Sequence, residues 1–443
     1  MPLPTKPPHV LARHLRKIDY ALKHLVLPAC YYFPAIGDFH ADLIGRDLRR
    51  KSGGTTYFTE VGMGHVRAIV KAIEDAGAFS NRVDSEEIWH AVWSVLRASL
   101  AQDQLPKSGV ELLQLVSDEL HPLVQSRTFV LPLRGIEFKG IVDLPLGQLE
   151  VIRPDADYFA SQGLTPGFDN LSQVVEQHRG VLWITGKKTG SPRVAEREFR
   201  TAADLTAGLL AVLSATMLKD GAARIRIGTG LHGGPDHGGE TWFTWTDEPD
   251  SLKITRGGGY RPPMPIDVEL RQQIIDASLT TKALSIIHAD VRNDLDESIA
   301  RGFHWFADAH RDPVLVMQFV KYWSCIEVFF SMDIEDITKS ISAGIASVLV
   351  FGGFAVVPFA DYTKTKARVA QLYKKRSKAV HGASHQHVTY QDIVELSRWA
   401  AWLLVTMLSF SERGYPDRQS VKNDSMRLDA NVGGSEKAPT HQG

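Results

Sequence analysis

The stretch from Ile341 to Ala360, ISAGIASVLVFGGFAVVPFA, carries no charge over twenty residues. As a helix it would be about 30 Å long, enough to cross the hydrocarbon core of a bilayer. Gly352, Gly353 and Pro358 interrupt it, however, and its hydrophobicity is only moderate. It therefore reads as a helix buried in a bundle, broken near the glycines, rather than as a membrane span. A helix apolar on every side needs partners on every side, so the segments around it must form one core.

The chain has 443 residues, enough for two or three domains. It is 44% hydrophobic and 23% charged with a formal net charge of −1, so any surface that attracts polyanions must be local. Cys30 and Cys325 lie in apolar contexts and make neither a disulfide framework nor a thiolate metal site. The start, MPLPTKPPHV, has no signal-peptide core, and a cytoplasmic location is expected.

The fold class expected is α+β multidomain. Residues 1–125 read as helical, with segments at His9–Val26, Val61–Ala76, Asp84–Ala101 and Gly109–Val124. Asp84 or Ser85 would cap the third, with Glu86 and Glu87 in its first turn. The basic run Arg46, Arg49, Arg50 and Lys51 reads as a solvated helix end. Residues 126–262 form a mixed α/β region, a candidate sensor, with short strands at Thr128–Leu133, Gly135–Val142, Leu149–Arg153, GVLWIT and ARIRIGTG and a helical piece at Phe199–Lys219. Residues 266–413 read as an all-α bundle, and the polar tail 414–443 as disordered.

Three motifs in the middle region invite a chemistry they do not support. WITGKKTG is similar to a phosphate loop, but no glycine stands five positions before Gly186, so it reads as a turn. LHGGPDHGGE offers His232, Asp236, His237 and Glu240 on a glycine-rich segment, for which a solvent loop is the simpler reading than a metal site. TRGGGYRPPMP clusters Gly and Pro as a linker would, which places a domain boundary near residue 262.

The bundle holds the chemistry. Asp361 to Gly382, DYTKTKARVAQLYKKRSKAVHG, reads as one helix with Val369, Leu372, Tyr373 and Val380 on an apolar stripe and Gly382 as its cap. Seven cations (Lys364, Lys366, Arg368, Lys374, Lys375, Arg376 and Lys378) lie between Asp361 and His381. Arg376 projects near the apolar stripe, so it must meet an acid or an anionic ligand. Glu327, beside the aromatic face of Pro313–Met332, is the natural acid. His381 can move a proton at neutral pH while Arg376 stabilises charge on phosphorus oxygens, which suits phosphodiester cleavage without metal.

Arg376-Ser377-Lys378-Ala379-Val380-His381 resembles the signature of the HEPN superfamily of helical nucleases, and LYKKRSKAVHG resembles its ApeA-like branch. The succession WSCIEVFF, DITKSISAGIASVLV, the Tyr–Arg–Ser–His–Gly helix and a closing amphipathic helix extends the resemblance over roughly residues 270–412. VLPLRGIEF…LPLGQLEVIRP loosely resembles segments ahead of such nuclease domains.

What the resemblance implies is a metal-independent endoribonuclease with no cofactor. The substrate's 2′-hydroxyl attacks the adjacent phosphate, with His381 as acid–base residue and Arg376 on the scissile phosphate. Ser377 orients that phosphate, while Glu327 and Tyr373 support Arg376. It further implies a homodimer acting on RNA as a toxin or antiviral defence effector, governed by an antitoxin or a phage-derived trigger. Lys374, Lys375 and Lys378 either line the RNA backbone or are simply solvated. Three alternatives stay open: a core Arg376–Glu327 ion pair with His381 as a helix-end cation, a zinc cluster of His381, His385 and His387, and a silent dimerisation or RNA-binding module attached to a sensor.

Overall fold

The computed structural model describes residues 12–32, 47–49, 55–79, 81–153, 156–161, 173, 176, 180–218, 225–229, 241–244, 253–256, 262–331, 337–381 and 387–435. In chain order these form α1 (Ala12–Leu25), β1 (Tyr31–Tyr32), β2 (Asp47–Arg49), β3 (Thr55–Phe58), α2 (Glu60–Asp75), α3 (Ser85–Ala101), α4 (Gly109–Leu120), β4 (Gln125–Arg134), β5 (Ile136–Phe138), β6 (Asp143–Leu146), β7 (Leu149–Ile152), α5 (Ala156–Ser161), β8 (Leu182–Gly190) and α6 (Pro192–Met217). There follow β9 (Gly228–Thr229), β10 (Thr241–Thr244), β11 (Lys253–Arg256), β12 (Met264–Ile266), α7 (Val268–Asp276), α8 (Ser278–Ile287), α9 (Asp294–Arg311), α10 (Leu315–Phe330), α11 (Ile337–Phe351), α12 (Tyr362–His381), α13 (Tyr390–Glu412) and α14 (Arg418–Ser435). The fold is α+β, with a helical C-terminal part.

Two compact units divide the chain, residues 1–129 with 187–199, and residues 130–186 with 200–443. The division differs from a boundary near residue 262. The middle strands belong with the helical bundle because polar contacts join them. Arg271 of α7 donates to Asp143 of β6 (2.8 Å), and Arg311 of α9 to Asp204 of α6 (3.0 Å). The Gly/Pro segment expected to act as a linker ends in β12, which pairs in parallel with β5.

In the first unit the starts of α2, α3 and α4 are set by capping side chains. The Thr59 hydroxyl accepts from the Gly62 amide (3.3 Å), and Ser108 from the Glu111 amide (3.2 Å). Asp84, one of the two caps the sequence offers for α3, forms a reciprocal capping box with Glu87. Ile18, Phe58, Val66, Ile69, Val92 and Leu96 lie in the core these helices share. Arg49 ends strand β2 rather than a helix; Arg46, Arg50 and Lys51 lie outside the described residues.

The second unit carries a five-stranded sheet in the order β6-β7-β8-β4-β9. WITGKKTG does not turn: it belongs to β8, where Gly186 pairs with Leu149 of β7. The glycine leaves room for the end of the Leu149 side chain, which a Cβ there would push aside. Among the described residues of the ARIRIGTG segment, 225–229, Gly228 and Thr229 form β9, and the His-rich segment 232–240 lies outside the described residues.

The bundle is built around α10, whose Phe319, Tyr322, Trp323, Ile326, Phe329 and Phe330 are buried. Against it packs α11, buried continuously from Ser340 to Val350 and ending at Phe351, before the paired glycines. Among the described residues one helix, α13, is long and apolar enough by composition to cross a membrane, and 67% of its most apolar window is buried inside the protein.

Two sequence expectations fail here. The helix read over Asp267–Leu284 is broken at Ala277, whose backbone is extended (φ −67°, ψ 123°), with no glycine or proline to mark it. The tail does not begin disordered at 414, since α14 is a helix. Its ordering comes from polar ties: Arg418 grips Asp294, the Lys366 ammonium and the Tyr362 hydroxyl donate to Asp429 (2.5 and 2.9 Å), and Val421 is buried. A composition rule that counts apolar residues does not see such ties.

Packing between α10 and α11 is tight at Gly344, where a Cβ would lie 2.5 Å from the Phe330 ring. Replacing Gly344 by Val should destabilise the protein by about 2 kcal/mol through overpacking. Replacing Gly64 by Ala, where a Cβ meets nothing within 4 Å on helix α2, should stabilise it by about 0.5–1 kcal/mol. Thermal denaturation of the two variants should show shifts of opposite sign.

Candidate active site

Helix α12 buries Tyr362, Thr365, Val369, Leu372 and Ala379. These positions advance by three and four residues, and the same track passes through 376. Arg376 therefore lies on the inward stripe, more squarely than the sequence pattern indicates. Val380, expected on that stripe, is 45% exposed, because it falls one step off the track.

Arg376 Nη2 donates to Glu327 Oε2 of α10 at 2.9 Å, with both side chains mostly buried (21% and 17% exposed). One helical turn before Glu327, the Trp323 ring meets Tyr373 edge to face, with centroids 5.7 Å apart. Two i, i+3/i+4 pairs on facing helices thus interlock an aromatic contact with an ion pair. The Arg376 Nε–H is buried and has no acceptor among the described residues. Burial pushes the Glu327 carboxyl up, and the single guanidinium beside it only partly offsets that.

The field of seven cations is much reduced in the folded chain. Arg368 pairs with Asp392 (2.7 Å) and Glu395 (2.8 Å), Lys375 with Asp392 (2.7 Å), and Lys366 with Asp429. Lys374, Lys378 and Lys364 stay exposed. Of the three lysines read as RNA contacts, Lys375 is therefore committed to the fold, while Lys374 and Lys378 face solvent. Ser377 is half-buried.

Asp392 is the residue that sequence reasoning missed. It is 1% exposed and closes a capping box with Thr389 at the start of α13. Burial raises its proton affinity, but hydrogen bonds from Lys375, the Thr389 amide and hydroxyl and Arg368 outweigh that and hold it at about 2. A T-x-x-D pattern at Thr389 signals the cap; nothing in the sequence signals the two cations from α12.

His381 is the last residue of α12 and is exposed. Five helical positions separate it from Arg376, which is about 140° around the axis and about 7.5 Å along it. Within one chain the guanidinium points inward and the imidazole sits on the open flank. Gly382 and His385 lie outside the described residues, so neither the expected cap nor a three-histidine cluster is described.

No protein-family model, curated protein or solved structure matches the chain.

Because the folded Asp392 titrates below its ordinary range, its contribution is complete above pH about 4 and fades as pH falls toward 2. Replacing Asp392 by Asn should cost about 3 kcal/mol at neutral pH, since Arg368 and Lys375 lose their shared partner. The same variant should narrow the gap to wild type between pH 4 and 2. Chemical denaturation across that range checks both.

Proposed function

We propose that the protein is a metal-independent endoribonuclease of the HEPN kind. The observation that carries this reading is the state of Arg376, a guanidinium on the buried stripe of α12. One of its donors is bound to Glu327, and its Nε–H is buried without an acceptor among the described residues. A guanidinium has five N–H donors, so donors remain for the non-bridging oxygens of a phosphate, where charge grows in the transition state. Glu327 orients the group without spending all of its hydrogen-bonding capacity.

In this reading the 2′-hydroxyl of RNA attacks the adjacent phosphorus, the bond to the 5′-oxygen breaks, and a 2′,3′-cyclic phosphate is left. His381 transfers the proton, Ser377 adds a hydrogen bond to the phosphate, and Tyr373 with Glu327 fixes Arg376. Lys374 and Lys378 meet the backbone of the strand. Because inward guanidinium and outward imidazole leave different flanks of one helix, a second copy of the chain completes the cleft. The activity fits a cytoplasmic toxin or antiviral defence effector, released by loss of an antitoxin or by a phage-derived trigger.

One observation favours a second reading. The wide angle between Arg376 and His381, with Arg376 already paired, also suits a silent helical dimerisation or RNA-binding module. The experiment that separates the two is RNA cleavage in EDTA by wild type, Arg376→Ala and His381→Ala. Wild type should yield cyclic-phosphate ends, and each variant should lose about 100-fold or more of the rate. His381→Ala, at an exposed position, should keep its melting temperature within a few degrees, while Arg376→Ala, which leaves Glu327 unpaired, should melt lower and is assayed well below its own transition. Replacing Glu327 by Gln should cost about tenfold in rate, as expected for an orienting partner. Undiminished cleavage by the Arg376 and His381 variants, or no cleavage by wild type, would overturn the nuclease reading.

A further inference from the structure

Within the first unit, α1 and α2 enclose a groove of about 400 Å³, lined by Arg16, Lys17, Tyr20, His65, Lys71 and Asp75 with small alanines at its floor. Lys17, Tyr20, Ala21 and His24 recur at three- and four-residue spacing, so α1 presents them along one face. Tyr20 is 60% exposed, so its ring is open to a stacking partner.

Tyr20 does not stand alone. Its ring centroid is 3.9 Å from that of His24, and His24 stacks on His65 at 5.4 Å with an interplanar angle of 30°. The His24 Nδ1 also meets the Tyr20 carbonyl oxygen at 2.7 Å, which holds that ring in place. A run of three rings thus joins the two helices. Burial first, and then the neighbouring His24, lowers the proton affinity of His65, which keeps it an uncharged stacking surface at neutral pH.

The cations here differ from those of α12. Lys366, Arg368, Lys375 and Arg376 are all engaged by acids from other helices. Lys17 and Lys71 are exposed and enter no ion pair among the described residues, and the groove contains one acid, Asp75. In a chain of net charge −1, unpaired cations flanking an exposed ring stack form a local site for an anion that also carries a flat, stackable group.

We infer that the α1–α2 groove binds single-stranded nucleic acid, with a base on the groove-lining rings of Tyr20 and His65, which His24 backs, and backbone phosphates on Arg16, Lys17 and Lys71. Cationic tracks beside stacking rings are how sequence-tolerant single-strand sites work. The inference stands apart from the reading of Arg376 and His381, since it requires neither cleavage nor a second copy of the chain. It gives the first unit a means of holding a strand.

The test uses the full chain and a labelled oligodeoxythymidylate of about eight nucleotides, within the usual footprint of such sites. Lacking a 2′-hydroxyl, this probe cannot be cut by the proposed chemistry, so binding and cleavage are read separately. Fluorescence anisotropy should show that Lys17→Glu with Lys71→Glu weakens binding at least tenfold and lowers the slope of log Kd against log salt by about 2. Tyr20→Ser should weaken binding about fivefold or more with the salt slope unchanged, which separates stacking from charge. Both substitutions are at exposed positions, and unchanged circular dichroism melts would confirm folding. Lys374→Glu with Lys378→Glu, on the other unit, should leave most of the affinity in place.

Wild-type affinity in the Lys17/Lys71 variant would overturn the inference. So would equal affinity for AMP and the oligonucleotide, which would mark a site for a small phosphorylated molecule. Loss of cleavage by His381→Ala with the groove's binding intact would support the two sites as independent.

Discussion

A guanidinium on the inward stripe of a helix must be met by a carboxylate, and much of the second unit is arranged around that requirement. Arg376 is met by Glu327, and the pair lies between α10 and α12 under the Trp323–Tyr373 contact. Removing either partner would leave an uncompensated, mostly buried charge, which costs several kcal/mol. The pair therefore aligns the aromatic centre of the bundle with the helix that ends in His381. In the proposed nuclease reading, structural and chemical roles would coincide on Arg376.

Asp392 performs a similar task on the other side of α12. It starts α13 as part of a cap and binds Lys375 while Arg368 reaches it from two turns away. Its carboxyl is driven down while that of Glu327 is driven up, and the number of partners explains the contrast. Asp392 accepts from two cations, a hydroxyl and an amide; Glu327 has one guanidinium. A carboxylate with many donors is a structural anchor.

How far the sequence could be read follows from what kind of interaction makes each element. The bundle helices are legible because burial imposes a three-to-four residue period, as on α10 and α13, and a cap at Asp84 or Ser85 is legible because capping is local, while the reciprocal box with Glu87 is seen only in the structure. The Arg376–Glu327 pair was legible for the same reason, since both residues sit beside apolar stripes. What was not legible depends on contacts distant in sequence. The acids that neutralise Lys366, Arg368 and Lys375 come from α13 and α14, so a local count of charge overstated the field on α12. Helix α14 is missed because polar anchors and only a few apolar contacts, Val421 and Val432, hold it, too sparse a set to show as a stripe in the sequence. Gly186 was read as a turn because its reason, the Leu149 side chain on a neighbouring strand, lies far off along the chain. The groove between α1 and α2 needs two helices brought together before its rings and lysines form a site.

The most direct measurement is a crystal structure of the assembled protein with a 2′-deoxy dinucleotide whose phosphate cannot be cleaved. The account predicts one phosphate within hydrogen-bond distance of Arg376 and of a His381 imidazole, from the same copy or its partner, with Glu327 still bound to Arg376. A phosphate held elsewhere, with Arg376 bonded to Glu327 alone and His381 turned to solvent in every copy, would contradict it.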